Sequence, residues 1–218
     1  MNPKKCASLI LALSVVLTGA PATAEEWGLS GTIGTGNFDL TSKPYLLPRT
    51  EASGTMKRAG AALVMVSDPF AESWMAARFS LGFEKVALDS GGFTRGESYT
   101  IFSADVALKI LLGVQPAFRF WLGPELRLGL VNGSGGEFTR NASSDVVGLG
   151  AMLGADLYPG EQFGVSLAAG ARAEKYTSRS QYPETRIIKG GARYVFFMTT
   201  LMVNFDERGE KSRAGADE

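Results

Sequence analysis

Ten charged side chains, Arg78, Glu84, Asp105, Lys109, Arg119, Glu125, Arg127, Asp156, Arg172 and Glu174, recur at alternate positions along segments that are otherwise apolar. Carboxylates and guanidinium groups gathered on one face can form ion pairs, relay protons or line a path for ions. Charges removed from water must be paired, because each unpaired burial costs several kcal/mol. The set therefore reads first as a structural salt-bridge network and second as the lining of a narrow, gated polar path. Histidine, the usual general base near neutral pH, is absent from the 218 residues. Asp39, Glu51, Asp89 and Glu97 lie near the ends of apolar segments but form no spaced ligand motif. No catalytic residue and no metal site is expected.

Strands must position these charges. Period-two alternation recurs along the chain where helical spacing does not. Arg78, Ser80, Gly82 and Glu84 stand opposite Met75, Ala77, Phe79, Leu81 and Phe83. Ser103, Asp105, Ala107 and Lys109 stand opposite Phe102, Ala104, Val106, Leu108 and Ile110. Arg119, Trp121, Gly123, Glu125 and Arg127 alternate with Phe118, Phe120, Leu122, Leu126 and Leu128. Arg172 and Glu174 continue a row opposite Val165, Leu167, Ala169 and Ala171. A first strand near residues 27–35 and a second near 57–66 bring the total to about eight. Gly148, Gly150 and Gly154 make a loose dinucleotide fingerprint, which needs a strand before it and a helix after it. Here they alternate along a strand that continues to Leu157, so they read as small neighbours leaving room for long Arg and Glu side chains. No cofactor is expected.

Connections of two lengths separate the strands. Short ones with turn chemistry fall at residues 67–69, 113–116 and 158–161, and longer ones at 37–56, 88–98, 132–145 and 177–186. Aromatics lie near strand ends: Trp27, Phe70, Trp74, Phe118, Phe163 and Phe205 at one end, Phe83, Tyr99 and Tyr176 at the other. Such rings suit the headgroup level of a bilayer.

The N-terminus reads as a cleaved signal peptide over residues 1–24. Lys4 and Lys5 are its positive region, residues 9–18 its apolar region, and Ala22-Thr23-Ala24 its cleavage site. Cleavage after Ala24 removes Cys6, the single cysteine, and leaves a slight net negative charge. That balance gives no electrostatic case for nucleic acid. No later apolar run approaches the roughly 20 residues of a transmembrane helix, so a membrane-integral chain must span as a closed barrel.

These features resemble the small eight-stranded outer-membrane barrels of the Gram-negative envelope, the porin-like group that contains OmpX and the membrane domain of OmpA. The most specific element is the last strand, where Val195, Phe197, Leu201, Val203 and Phe205 share one face. In that family such a terminal strand is the assembly signal read by the outer-membrane insertion machinery. The resemblance implies an all-β fold, a single antiparallel up-and-down transmembrane barrel over residues 25–205, in the outer membrane. Its surroundings would be outer-membrane lipid and lipopolysaccharide. The charged segment 206–218 is expected to be a disordered periplasmic tail, too short for the peptidoglycan-binding domain of OmpA.

The family's enzymes, namely lipases, lipid A deacylases, lipid A palmitoyltransferases and omptin proteases, use histidine, so their sites cannot be placed here. The function expected is non-catalytic, with loops presented to an extracellular ligand or host surface. Tyr45, Leu46 and Leu47, in an apolar, proline-stiffened stretch, are the contact candidates. A small channel, a lipid A-modifying enzyme without histidine and a soluble lipocalin-like barrel are the alternatives. Strand eight leaves one question open. Lys189 and Arg193 share parity with the apolar set. Either a bulge at Gly190-Gly191 resets the face, or these cations lie above the hydrocarbon. Intact mass of the exported protein should begin at Glu25; a mass retaining residues 1–24 contradicts the cleavage.

Overall fold

The computed structural model describes residues 26–44, 48–67, 74–90, 98–115, 117–133, 142–159, 162–180 and 186–204. Residues 1–24 and 206–218, together with Tyr45, Leu46, Leu47 and Phe205, lie outside them. Eight strands follow one another: β1 Glu26–Pro44, β2 Thr50–Ser67, β3 Met75–Ser90, β4 Ser98–Gln115, β5 Phe118–Gly133, β6 Ala142–Leu157, β7 Phe163–Ser180 and β8 Arg186–Asn204. Each pairs antiparallel with its neighbour in sequence. β8 returns to pair with β1, from Glu26 opposite Asn204 to Pro44 opposite Arg186. The result is a closed up-and-down barrel with no free edge.

Across the apolar belt side chains alternate between the two faces. Outward, and exposed, stand Leu29, Ile33, Phe83, Phe102, Phe120, Leu149, Leu153, Leu167, Phe197 and Leu201. Inward, and buried, stand Arg58, Arg78, Lys109, Glu125, Arg127, Asp156, Arg172 and Glu174. This inverts a soluble protein. Leu153 is 66% exposed while Arg127 is 0% exposed. A lipocalin-like barrel would carry the apolar row inside, so that alternative is excluded. A continuous apolar exterior of this size is the surface of a barrel that spans a bilayer.

The strands are 16 to 19 residues long, where about 9–11 suffice to cross the hydrocarbon. The excess lies at one end, and there the pattern turns over. On β1, Asn37 and Asp39 point out while Phe38 and Leu40 are buried inside. On β2, Thr55 and Lys57 point out while Ala52 and Met56 point in. On β8, Lys189 and Arg193 point out while Ile188 and Ala192 point in. Above the apolar belt the barrel is polar outside and apolar inside, as water requires.

This inversion corrects two expectations, on the long connections and on two tyrosines, and decides the point left open on strand eight. Of the long connections of the sequence reading, 37–56 is mostly strand, and 88–98, 132–145 and 177–186 each give up their ends to the flanking strands. The segments between strands at the upper end are residues 45–49, 91–97, 134–141 and 181–185, against 68–74, 116–117 and 158–162 at the lower end. Much of the asymmetry therefore lies in strand extension. Lys189 and Arg193 keep their outward parity, because both ladders of β8 run without a break past Gly190 and Gly191. No bulge resets the face. Tyr99 and Tyr176 are not girdle residues: they point inward and meet edge to face at 6.3 Å. Trp27, Trp74, Phe83 and Phe163 do stand exposed on the exterior.

One ladder is irregular. The β4–β5 register shifts by one residue between Leu111, opposite Trp121, and Gly113, opposite Phe120, and above that shift the pairing has a gap between Ala107–Glu125 and Ile110–Leu122. Pro124 lies in that gap and has no N–H to donate.

The belt predicts a depth-dependent response to charge. Leu153→Arg, mid-belt on β6, should lower unfolding free energy in lipid by about 2–4 kcal/mol, and Thr55→Arg, on the upper extension, by about 1 kcal/mol or less. Urea titration followed by tryptophan fluorescence measures both; equal costs would contradict the belt.

Candidate functional site

The lumen is the place where this chain concentrates chemistry. Six cations, Arg58, Arg78, Lys109, Arg119, Arg127 and Arg172, point inward among the described residues. Six carboxylates, Glu26, Glu84, Asp105, Glu125, Asp156 and Glu174, face them. The numbers balance, so the interior carries no net charge to be neutralised by solvent ions.

The central network crosses the barrel. Arg58 on β2 donates to Glu174 on β7 from both terminal nitrogens, at 3.0 and 2.6 Å. Arg127 on β5 donates to Glu84 on β3 at 2.9 Å and to the Ser103 hydroxyl at 2.6 Å. Its Nε lies 3.4 Å from Asp105 and 3.6 Å from Glu174. Arg172 on β7 makes a forked pair with Glu125 on β5, at 3.0 and 2.6 Å. Fork-to-fork arginine–carboxylate pairs are the strong geometry for charges out of water.

Two tyrosines tie the three arginines together. The Tyr194 hydroxyl accepts from Arg172 at 2.8 Å and donates to Glu174 at 2.6 Å. Its ring lies under the Arg58 guanidinium, 4.0 Å from the centroid. The Tyr176 hydroxyl accepts from Arg58 at 2.8 Å and donates to Glu174. Glu174 thus accepts from two tyrosines and one arginine with both oxygens engaged.

Small residues make the space. A Cβ on Gly148 would meet the Glu174 side chain at 2.9 Å and those of Arg127 and Arg172 at 3.3 Å. A Cβ on Gly154 would strike the Trp121 ring at 2.5 Å. These glycines continue a strand, so the dinucleotide reading of them fails.

Below the network lies a second, separate pair. Lys109 donates to Asp156 at 2.5 Å, and Trp121 Nε1 donates to the other oxygen of Asp156 at 2.9 Å. Lower still, at the mouth, Arg119 Nη1 lies 3.6 Å from Glu26. The Tyr158 hydroxyl donates to the same Glu26 oxygen at 2.8 Å. Burial, then the Glu26 charge, push the Tyr158 phenol above its ordinary range, so it keeps the proton it donates. Arg119 is partly exposed and belongs to this mouth, not to the central network.

Arg78 departs from the expectation that every inward charge is ion-paired. Among the described residues no carboxylate comes within 4.0 Å of it; it donates to Thr200 Oγ1 at 3.0 Å and approaches the Met198 sulfur at 3.1 Å. It lines a cavity of about 20 Å3 shared with Asp105 and Glu125. That is room for about one water, which such a set of polar groups would hold. Above the network the lumen is filled by Phe38, Leu40, Met56, Val86, Leu88, Tyr99, Ile101, Val131, Val146 and Ile188.

The structure thus brings Arg127, Glu84, Asp105, Arg172, Glu125 and Glu174 together, places Lys109 and Asp156 in a lower pair, and leaves Arg78 and Arg119 apart. Sequence reading missed Arg58, Glu26, Tyr176 and Tyr194, and set Trp121 and Ser103 on the inward rows without their bonds to Asp156 and Arg127. Arg58 was within reach, since it shares inward parity with Met56, Gly60 and Ala62. Val195, Phe197 and Leu201 of the proposed assembly signal stand exposed on the outer face, with Val203 half-buried.

Removing one partner should be costly. Arg127→Met strands Glu84 and Asp105 without their nearest cation and is expected to destabilise by about 3–5 kcal/mol. Adding Glu84→Gln should recover part of that loss. The check is a double-mutant cycle by urea unfolding, and additivity of the two changes would contradict the pairing.

No protein-family model matches the sequence, and no curated protein matches it by sequence. Among solved structures, the outer membrane protein OprG from Pseudomonas aeruginosa aligns at 12% identity over 84% of this chain and 96% of that one, with a TM-score of 0.54. Neisserial surface protein A aligns at 16% identity over 80% and 97%, with a TM-score of 0.38. The outer membrane protease OmpT from Escherichia coli aligns at 8% identity over 84% and 97%, with a TM-score of 0.34. Of the three, OprG carries the comparison of folds. With its closed ladder, apolar exterior and ionic interior, the chain has the fold of the small eight-stranded outer-membrane β-barrels.

Proposed function

We propose that this protein is a non-catalytic outer-membrane barrel whose lumen is sealed and whose extended upper rim is a contact surface. One observation carries the reading: the lumen is crossed by direct side-chain bonds from β2 to β7, from β3 to β5 and from β5 to β7. An eight-stranded barrel is just wide enough for side chains to fill it, and here they meet one another across the axis. The apolar plug of Phe38, Leu40, Met56 and Ile188 closes the way above. A conducting path would have to part the Arg58–Glu174 and Arg127–Glu84 pairs together with that plug.

In this reading the chain is exported with residues 1–24 removed and is received by the outer-membrane assembly machinery through Val195, Phe197, Leu201, Val203 and Phe205. It sits among outer-membrane lipid and lipopolysaccharide. The strand extensions lift the upper connections clear of the bilayer, and Tyr45, Leu46 and Leu47, between β1 and β2, are offered to an extracellular ligand or host surface. Histidine-free chemistry on lipid A has no supporting cluster among the described residues, where no group of three or more His, Cys, Asp or Glu side chains could hold a metal ion.

The test is electrical. Folded protein in planar bilayers should show no conductance above background across physiological voltages. Reproducible single-channel steps from the unaltered chain would overturn the sealed-lumen reading in favour of a narrow pore.

A further inference from the structure

The outer wall carries a feature that the lumen does not explain. On β7 and β8 three cations surround one glycine. Lys175 lies directly opposite Gly191 across the β7–β8 ladder. Lys189 and Arg193 lie two residues either side of Gly191 on the same outward face. Strand spacing puts their Cα atoms about 5–7 Å from that of Gly191. Gly191 has no side chain, so the centre of the triangle is a notch. All three cations are exposed. Among the described residues none has a carboxylate within ion-pair distance. Asp39 on β1 lies opposite Gly191 from the other side and also points outward. The notch therefore sets three positive charges against one negative.

Directly below runs an apolar trough. Ala171 and Ala173 on β7 form its floor, with Leu149 on β6 and Val195 on β8 as its walls. Arg193 stands at its upper end, level with Ala173. Small residues between two larger ones make a channel along the wall, open to the bilayer and capped by cations.

We propose that this face is a binding site for a lipid bearing a phosphate monoester, its phosphate in the Lys175–Lys189–Arg193 notch and one acyl chain in the trough below. The inference rests on the membrane-spanning reading, since the trough needs a bilayer to supply its ligand. Charge selects the headgroup. A phosphodiester carries one negative charge, whereas a monoester carries about 1.5 to 2 near neutral pH, which matches the net excess of the notch. Arginine supplies a planar fork for phosphate oxygens, and the two lysines supply point charges. Lys57 on β2 and Lys85 on β3 are also outward and are diagonal neighbours, Lys57 opposite Thr35 and Ala87 and Lys85 opposite Ala59 and Thr100, but they make a pair with no third cation beside them.

Native mass spectrometry of the folded, detergent-solubilised protein tests this with lipid A, phosphatidylglycerol and phosphatidylcholine as probes. One lipid A per barrel should be retained in preference to phosphatidylglycerol, and phosphatidylcholine should not be retained. The variant carrying Lys175→Gln, Lys189→Gln and Arg193→Gln should lose retention by roughly tenfold or more. Ala171→Leu, which fills the trough without touching charge, should weaken it too. Lys57→Gln with Lys85→Gln should leave it unchanged. Heat-modifiable migration on gels reports whether each variant is a folded barrel, so failure of this site is separable from failure of the membrane reading. Equal retention by the triple variant, equal retention of phosphatidylcholine, or full competition by millimolar inorganic phosphate would each overturn the proposal.

Discussion

Inside hydrocarbon no water is on hand for a backbone N–H or C=O, so every strand must find a partner on both sides, and the eighth must find the first. The β1–β8 ladder meets that demand over the full length of both strands. Once the ladder closes, each residue has two choices, lipid or lumen, and the choice alternates along a strand. A charge near the bilayer midplane then has one acceptable place. The ionic interior follows from closure: polar side chains are driven inside because the outside is worse for them, and once inside they must satisfy one another.

They do so across the axis more than along the wall. Arg58 and Glu174, or Arg127 and Glu84, belong to strands that are not neighbours. Such bonds fix the barrel's cross-section in a way that ladder hydrogen bonds cannot, since they resist flattening. Buried ion pairs are weak evidence for net stability, because desolvation offsets much of their attraction. Their consequence here is specificity: a slip of one residue on any strand would turn its lumen charges out into lipid. The glycines at 148 and 154 are the counterpart of the long side chains, yielding the volume that Arg127, Arg172 and Trp121 occupy.

Much of this was legible before any coordinates. Alternation gave the face of Arg78, Glu84, Asp105, Lys109, Glu125, Arg127, Asp156, Arg172 and Glu174, because an apolar row in lipid leaves a clean period of two. Partners were not legible. Whether Arg127 meets Glu84 or Asp156 depends on stagger between strands and on which strands face each other, and neither leaves a trace in local sequence. The upper ends of the strands were misread as loops for a different reason. There the outside is polar and the inside apolar, so Asn37, Asp39 and Lys57 resemble loop residues to a reader tracking lipid contact, although Phe38, Leu40 and Met56 keep the same period. The unresolved parity of Lys189 and Arg193 was this same inversion seen on one strand. Ring identity misled at Tyr99 and Tyr176, since an aromatic near a strand end suits the headgroups and the lumen equally well.

The claim beneath all of this is that the apolar row meets acyl chains and the ionic row does not. Spin labels on single cysteines at Leu153, Ser80 and Thr55, read by their relaxation with oxygen and with a water-soluble nickel complex in lipid bilayers, address it directly. The account predicts strong relaxation by oxygen at Leu153, by nickel at Thr55, and weak relaxation by both at Ser80. A label at Leu153 that responds to nickel and not to oxygen would place that face in water, and the barrel described here would be inside out.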